Sequence, residues 1–270
     1  LRAMGVRRGD RVVSCMPNIP ETIAAFLATA SVGAVWSSCS PDMGSGAVID
    51  RFRQIEPKVL FAVDGYRYGG KDFDRREVLA EIVAQLPALE RVVLLPQLDA
   101  NAPPDSLRGG VSYASLLDRR DAPLAFEPVP FDHPLWIVYS SGTTGLPKAI
   151  VHGHGGVLIE HLKTLVLHMN LQPADRFCWV TSTGWIMWNL LAGGLLAGST
   201  VLLFDGHPGW PDAGEIWRFV GAAQASVFGC GAAMVAGAMK AGVEPAREAD
   251  LSTLQAIGVP ASRAAHVHPG

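Results

Sequence analysis

Short apolar runs of strand length alternate along this chain with stretches of helical periodicity, and that alternation confines the fold more than any other feature. A helix begins at Pro20, where proline suits a first turn, and runs through Phe26 and Leu27 to a strand over 34–37. Ser45 can cap a helix whose apolar positions Val48, Phe52 and Ile55 share one face, and Pro57 stops it before a strand over 59–63. A helix over 77–86 and a strand over 91–95 repeat the unit, and Leu1–Met4 followed by Gly5 reads as the last turn of a helix feeding a strand over 10–14. After a stretch broken by Pro123, Pro128 and Pro130, the pattern resumes with strands over 135–139, 149–152, 177–180 and 201–204. Helices are expected near 157–169, 188–196 and 215–223. The predicted fold class is α/β, with buried, mostly parallel strands flanked by helices in two subdomains. The expected division is a first α/β subdomain over 1–118, a proline-rich connection over 119–134, a second subdomain over 135–258 and a tail over 259–270.

Bulk properties exclude several classes. With 49% apolar and 17% charged residues in 270, the chain can bury a large core and lacks the composition of disorder. The net charge is −3 and the 22 basic residues are scattered, so no phosphate-tracking stripe is present and no nucleic-acid partner is expected. Two uncharged stretches, Thr22–Pro41 and Trp185–Phe204, reach membrane-spanning length, but glycines punctuate both, so each reads as helix, turn and buried strand. No membrane span is expected. The four cysteines, Cys15, Cys39, Cys178 and Cys230, are widely spaced and form no CxxC pair, which points to buried reduced thiols and a cytoplasmic location.

The chemistry concentrates in Tyr139-Ser140-Ser141-Gly142-Thr143-Thr144-Gly145-Leu146-Pro147-Lys148. Its glycines permit conformations that expose successive N–H groups, its hydroxyls add donors, and Lys148 adds positive charge, a combination that can wrap a polyphosphate. It is not a Walker A loop, because it leads into a strand rather than opening a helix. A polar hairpin turn is the plainer alternative. His152 and His154 form an H-x-H pair with no third ligand at suitable spacing, so no protein metal site is expected. Asp42, Asp50 and Glu56 read as structural or capping residues.

The loop resembles the phosphate-loop signature of the AMP-forming acyl-CoA synthetases. Further segments resemble the acetoacetyl-CoA synthetases within that superfamily: Trp36–Asp42, Asp50–Phe52 with Gln54–Lys58, Ala149–Gly156, and Thr181–Asn189. The resemblance runs from Leu1 to about Gly258 and implies part of the large N-terminal domain of an adenylate-forming enzyme. It implies a two-step ligation in which ATP converts an acid, acetoacetate by resemblance, to an acyl adenylate, and the CoA thiol then displaces AMP. Ser140, Ser141, Gly142, Thr143, Thr144, Gly145 and Lys148 would hold the ATP phosphates together with Mg2+, with Thr143 and Lys148 as the catalytic pair. Trp185, Ile186, Met187 and Trp188 would line the acyl pocket, with Asn189 offering a hydrogen bond to a keto oxygen; plain core packing is the alternative for this cluster. Arg67, Gly70 and Lys71 resemble a segment that contacts the CoA nucleotide, against the alternative of an exposed charged loop.

The tail after Gly258 departs from the family, which would continue with a glycine- and serine-rich adenine turn. Truncation at both ends, with a frameshift or a truncated reading frame behind the tail, is the expectation. The 270 residues alone are then expected to be inactive. The alternatives are a non-catalytic nucleotide- or CoA-binding remnant, a piece of an acetyl- or propionyl-type CoA ligase, or an unstable fragment exposing apolar surface.

Overall fold

The structure, a computed structural model, describes residues 1–117, 123–140 and 145–259. The chain divides into two compact units: Leu1–Glu160 with Ser182–Ile186, and His161–Thr181 with the residues from Met187 on.

In the first unit, β1 (Arg11–Cys15), β2 (Val35–Cys39) and β3 (Val59–Val63) are followed by a hairpin of β4 (Gly65–Tyr68) and β5 (Lys71–Asp74). Then come β6 (Arg91–Leu95), β7 (Gly110–Ser112), β8 (Pro134–Ser140) and β9 (Lys148–Gly153). The helices are α1 (Pro20–Ser31), α2 (Ser45–Phe52), α3 (Arg76–Gln85) and α4 (Tyr113–Leu117). The large sheet has the order β7-β6-β3-β1-β2-β8-β9, and only its β8–β9 pair is antiparallel.

That order contains a reversal. The chain steps from β1 sideways to β2, then crosses back over β1 to β3. Right-handed crossovers in opposite directions send α1 and α2 to opposite faces. The packing follows: Val13, Cys15 and Leu60 point into a cluster with Val48 and Phe52 of α2 and Ile82 of α3. On the other face, Phe26 of α1 stands 5.9 Å from Trp36 and 5.7 Å from Trp136, ring centre to ring centre. Trp36 and Phe52 are completely buried, and each such side chain contributes about 1.5–3 kcal/mol relative to an exposed one.

The expected division at 119–134 differs from this one. Trp136 pairs in parallel register with Trp36, so β8 and β9 extend the first sheet, and the second unit begins only at His161. The described part of the connection lies along the first unit: Glu127 N–H donates to Ser31 O at 2.8 Å, and His133 Nε2 meets Gly33 O at 2.8 Å. Prolines deny this stretch a ladder, yet its other polar groups still tie it down. Residues 119–122 of that expected connection lie outside the described residues.

Helix α5 (His154–Leu162) continues through a π-helical segment, Lys163–His168, into the second unit. There α6 (Ile186–Gly193), α7 (Glu215–Ala222), α8 (Ala232–Lys240) and α9 (Pro245–Glu248) accompany β10 (Arg176–Trp179), β11 (Thr200–Leu202), β12 (Val227–Gly229) and β13 (Ala256–Gly258). The sheet is wholly parallel in the order β11-β10-β12-β13. One face packs Phe177 and Trp179 against Leu165 and Leu191, and the other packs Cys178 and Phe228 against Ile216, Trp217 and Val220. Both stretches weighed as membrane spans fold as helix, turn and strand, and among the described residues no helix is long and apolar enough to cross a membrane.

Candidate functional site

In an open parallel sheet, the place where the strand order reverses leaves a crevice at the carboxyl ends of the strands, because successive helices leave to opposite faces. Here that reversal lies between β1 and β3. Four segments reach the same edge of the sheet: the β8–β9 connection, the β4–β5 hairpin after β3, Ser40–Met43 after β2, and the returning turn Ser182–Ile186.

The loop singled out in the sequence is the β8–β9 connection. Ser140 closes β8 and faces Lys148, the first residue of β9, in antiparallel register, so the loop ends in a strand as expected. Ser141, Gly142, Thr143 and Thr144 lie outside the described residues; both stems are described. Each stem is fastened to the end of α2. Tyr139 OH donates to Arg51 O at 2.7 Å, and the Arg51 guanidinium lies over the Tyr139 ring at 5.7 Å. Burial, with Cys39 nearby, pushes the Tyr139 phenol above its ordinary pKa, so it remains a neutral donor. On the other stem, Gln54 Nε2 donates to Pro147 O at 3.0 Å and to Asp50 O at 2.7 Å. Gly145 has φ 143°, a conformation closed to most side chains, and Lys148 is exposed at the sheet edge.

Of the expected acyl-pocket residues, Trp185 is 69% exposed and Ile186 47% exposed. Met187 is half-buried against the Phe177–Leu191 cluster of the second unit, whereas Trp188 is 0% exposed and Asn189 is buried. The turn itself is seated at the first sheet: Thr183 Oγ1 donates to Met16 O at 2.8 Å, and Ser38 Oγ donates to Thr183 O at 2.5 Å.

The basic turn is the tip of the β4–β5 hairpin, with Gly69 and Gly70 between the paired Tyr68 and Lys71. Arg67 faces Asp72 and bonds it at 2.8 Å, while Lys71 shares the other hairpin face with Tyr68 and the stacked Tyr66–Phe73 pair, 5.1 Å between centroids. The hairpin thus separates Arg67 from Lys71, although both stand at the edge where Gly70 turns the chain. At its root, the buried Asp64 carboxylate accepts backbone N–H bonds from Gln97 at 2.6 Å, Leu98 at 3.2 Å and Asp99 at 2.7 Å. His152 accepts from Trp136 Nε1 at 3.0 Å, and His154 packs 5.7 Å from His133. Among the described residues no group of three or more His, Cys, Asp or Glu could hold a metal ion.

Ser38, Arg51 and Gln54 carry no local signal of a role, and Thr183 carries only its place at the start of the expected acyl segment. All four lie in segments that carried the family resemblance, and that was the available signal.

A loop of phosphate-binding composition, its two stems fastened at the carboxyl edge of a doubly wound sheet, is the arrangement of a nucleotide-binding enzyme. The family model described as AMP-binding enzyme matches residues 1–268, and the chain belongs to that family. Within it, the chain is similar to acetoacetyl-coenzyme A synthetase of Rhizobium meliloti (strain 1021), 47% identical over 258 residues, covering 94% of this chain and 39% of the relative. It also matches malonamoyl-CoA synthetase of Penicillium aethiopicum, 41% identical over 215 residues, covering 77% of this chain and 30% of the relative. The solved acetoacetyl-CoA synthetase from Streptomyces lividans superposes with a TM-score of 0.91 at 54% identity, covering 96% of this chain and 39% of that one. The chain therefore spans about two-fifths of the length of the acetoacetyl-CoA synthetases it matches.

Proposed function

We propose that this chain supplies the phosphate-binding and acid-binding face of an AMP-forming ligase that joins acetoacetate to CoA. The single observation that carries the reading is the convergence of the β8–β9 loop, the Trp185 turn and the β4–β5 hairpin on one carboxyl edge of the seven-stranded sheet.

In the first step a carboxylate oxygen attacks the α-phosphorus of ATP, and the bond to the departing pyrophosphate breaks. The protein has little covalent work to do; it must hold the phosphates in line and offset growing negative charge. Lys148, with the hydroxyls of Ser140, Ser141, Thr143 and Thr144 and the amides of Gly142 and Gly145, has the composition for that task. Its two stems are fixed by Arg51 and Gln54. Magnesium would arrive with ATP and share its phosphate oxygens. In the second step the CoA sulfur attacks the acyl carbon and AMP leaves. Lys71, Gly70 and Arg67 are the residues placed to meet the CoA nucleotide, and a grip by both cations requires Arg67 to release Asp72. The setting proposed for this chemistry is the cytoplasm, which suits four free, buried thiols.

The acid class follows from chemistry that two relatives share. Acetoacetate and malonamate both carry a carbonyl β to the carboxylate and differ by a methyl against an amino group. With Asn189 and Trp188 buried, the donor proposed for that carbonyl is the indole N–H of the exposed Trp185, which also supplies the apolar wall.

The test is ATP–pyrophosphate exchange in a full-length synthetase carrying this segment. Thr143→Ala and Gly145→Val are expected to lower exchange by at least about tenfold, the second by forcing a side chain into a glycine conformation. Undiminished exchange in either variant overturns the loop's role.

A further inference from the structure

One side chain seats the turn Ser182–Ile186 at the first sheet. Thr183 is 1% exposed, and its Oγ1 donates to Met16 O at 2.8 Å while approaching Cys39 O at 3.3 Å. A single hydroxyl hydrogen is thus shared between two acceptors. The acceptors lie at the ends of neighbouring parallel strands, whose residues Cys15 and Cys39 are register partners. The chain leaves for opposite faces of the sheet just beyond them, and a buried strand-end carbonyl needs a donor from elsewhere. Ser38 Oγ closes the return bond to Thr183 O at 2.5 Å. A Cβ on Gly184 would stand 3.2 Å from Ser40 N, so the turn approaches the β2 backbone more closely than a side chain would comfortably allow. The Trp185 N–H donates to Ser182 O at 3.2 Å, and the exposed Trp185 ring projects from these fixed points.

We infer that Thr183 is a positioning residue for the acyl site: its hydroxyl clamps the Trp185 turn across the carboxyl ends of β1 and β2 without touching the reactants. The inference rests on the acyl role given to Trp185 above. Thr183→Val keeps the shape and removes the donor, and Thr183→Ser keeps the donor and removes a methyl group.

Two measurements decide it. In hydrogen exchange on the full 270-residue chain, Thr183→Val is expected to speed exchange over 182–186 by about tenfold. Thr183→Ser should restore the wild-type rate, and peptides from α1 and α2 should be unchanged in both variants. In a full-length relative carrying residues 1–258 of this chain, Thr183→Val should raise the KM for acetoacetate about tenfold, leave the KM for ATP and CoA within about twofold, and be rescued by serine. Unaltered exchange over 182–186 in the valine variant overturns the clamp. An equal loss on all three substrates without rescue by serine reduces Thr183 to a structural residue and overturns the positioning role. A wild-type protein that forms no AMP with any acid overturns the acyl role, while the exchange rates still decide the clamp.

Discussion

Individual side chains in both units are tuned by burial as much as by charge. Desolvation pushes the Cys39 and Cys178 thiols to about 12 and Cys230 to about 11, and Cys15 also rises well above its ordinary value. Almost no thiolate exists near neutral pH, and the thiolate is the reactive form. A disulfide reagent added at about pH 8 to native protein is therefore expected to label none of the four cysteines, and to label all four after denaturation. Rapid labelling of native protein would contradict that burial. His154 gives a pH dependence of defined sign. Burial, and then the neighbouring His133, lower its pKa below the ordinary 6.5, so the folded protein holds it neutral while the unfolded chain takes up a proton. Its contribution to stability is fully present above about pH 6.5 and is lost as the pH falls from there toward the lowered folded value. Urea midpoints compared at about pH 7.5 and about pH 5.5 should fall less for His154→Gln than for the wild type. An equal fall in both would remove His154 from the balance.

At the scale of elements, the fastenings between strand ends and loops determine where the site segments stand. Asp64, 1% exposed, gathers the N–H groups of Gln97, Leu98 and Asp99 onto the end of β3, at the root of the β4–β5 hairpin. Asp64→Ala removes the acceptor for all of them and should cost about 2–3 kcal/mol in chemical unfolding, with Asp64→Asn costing less because one carbonyl oxygen remains. A loss below about 0.5 kcal/mol for the alanine variant would show that water replaces the carboxylate freely. Such ties also mark the limit of what local sequence discloses. Strands β3 and β6 were legible because their buried residues read as unbroken apolar runs. The β8–β9 loop was legible by its own composition and by its exit into a strand. The β4–β5 hairpin was read only as a turn: its strands are short and largely exposed, though Gly69-Gly70 between Tyr68 and Lys71 is a two-residue hairpin signal. Strands β12 and β13, three residues each, carry too little pattern to stand out. The Thr183 clamp joins residues 167 and 144 positions apart, a pairing that no local periodicity encodes.

For the whole molecule, the proline-rich stretch suggested a boundary that the fold does not place there, because composition shows where a ladder stops and not which sheet the next strand joins. The parallel pairing of Trp36 with Trp136 is a long-range choice, and it brings the β8–β9 loop onto the same sheet as the reversal between β1 and β3. That placement unites the loop, the Trp185 turn and the hairpin on one edge, and it underlies the proposed two-step ligation. The acid panel should reflect the β-carbonyl: Trp185→Phe keeps the wall but removes the indole donor, and should narrow the preference for acetoacetate over butyrate by about tenfold. An unchanged ratio would move recognition of the carbonyl to another group. The most direct measurement is AMP release by a full-length synthetase bearing residues 1–258, with ATP and CoA present and acetoacetate, malonamate, butyrate and acetate supplied in turn. AMP formed together with acyl-CoA, fastest with acetoacetate, is the expected result; AMP release that ignores the acid, or no AMP with any of them, would contradict the proposed ligase.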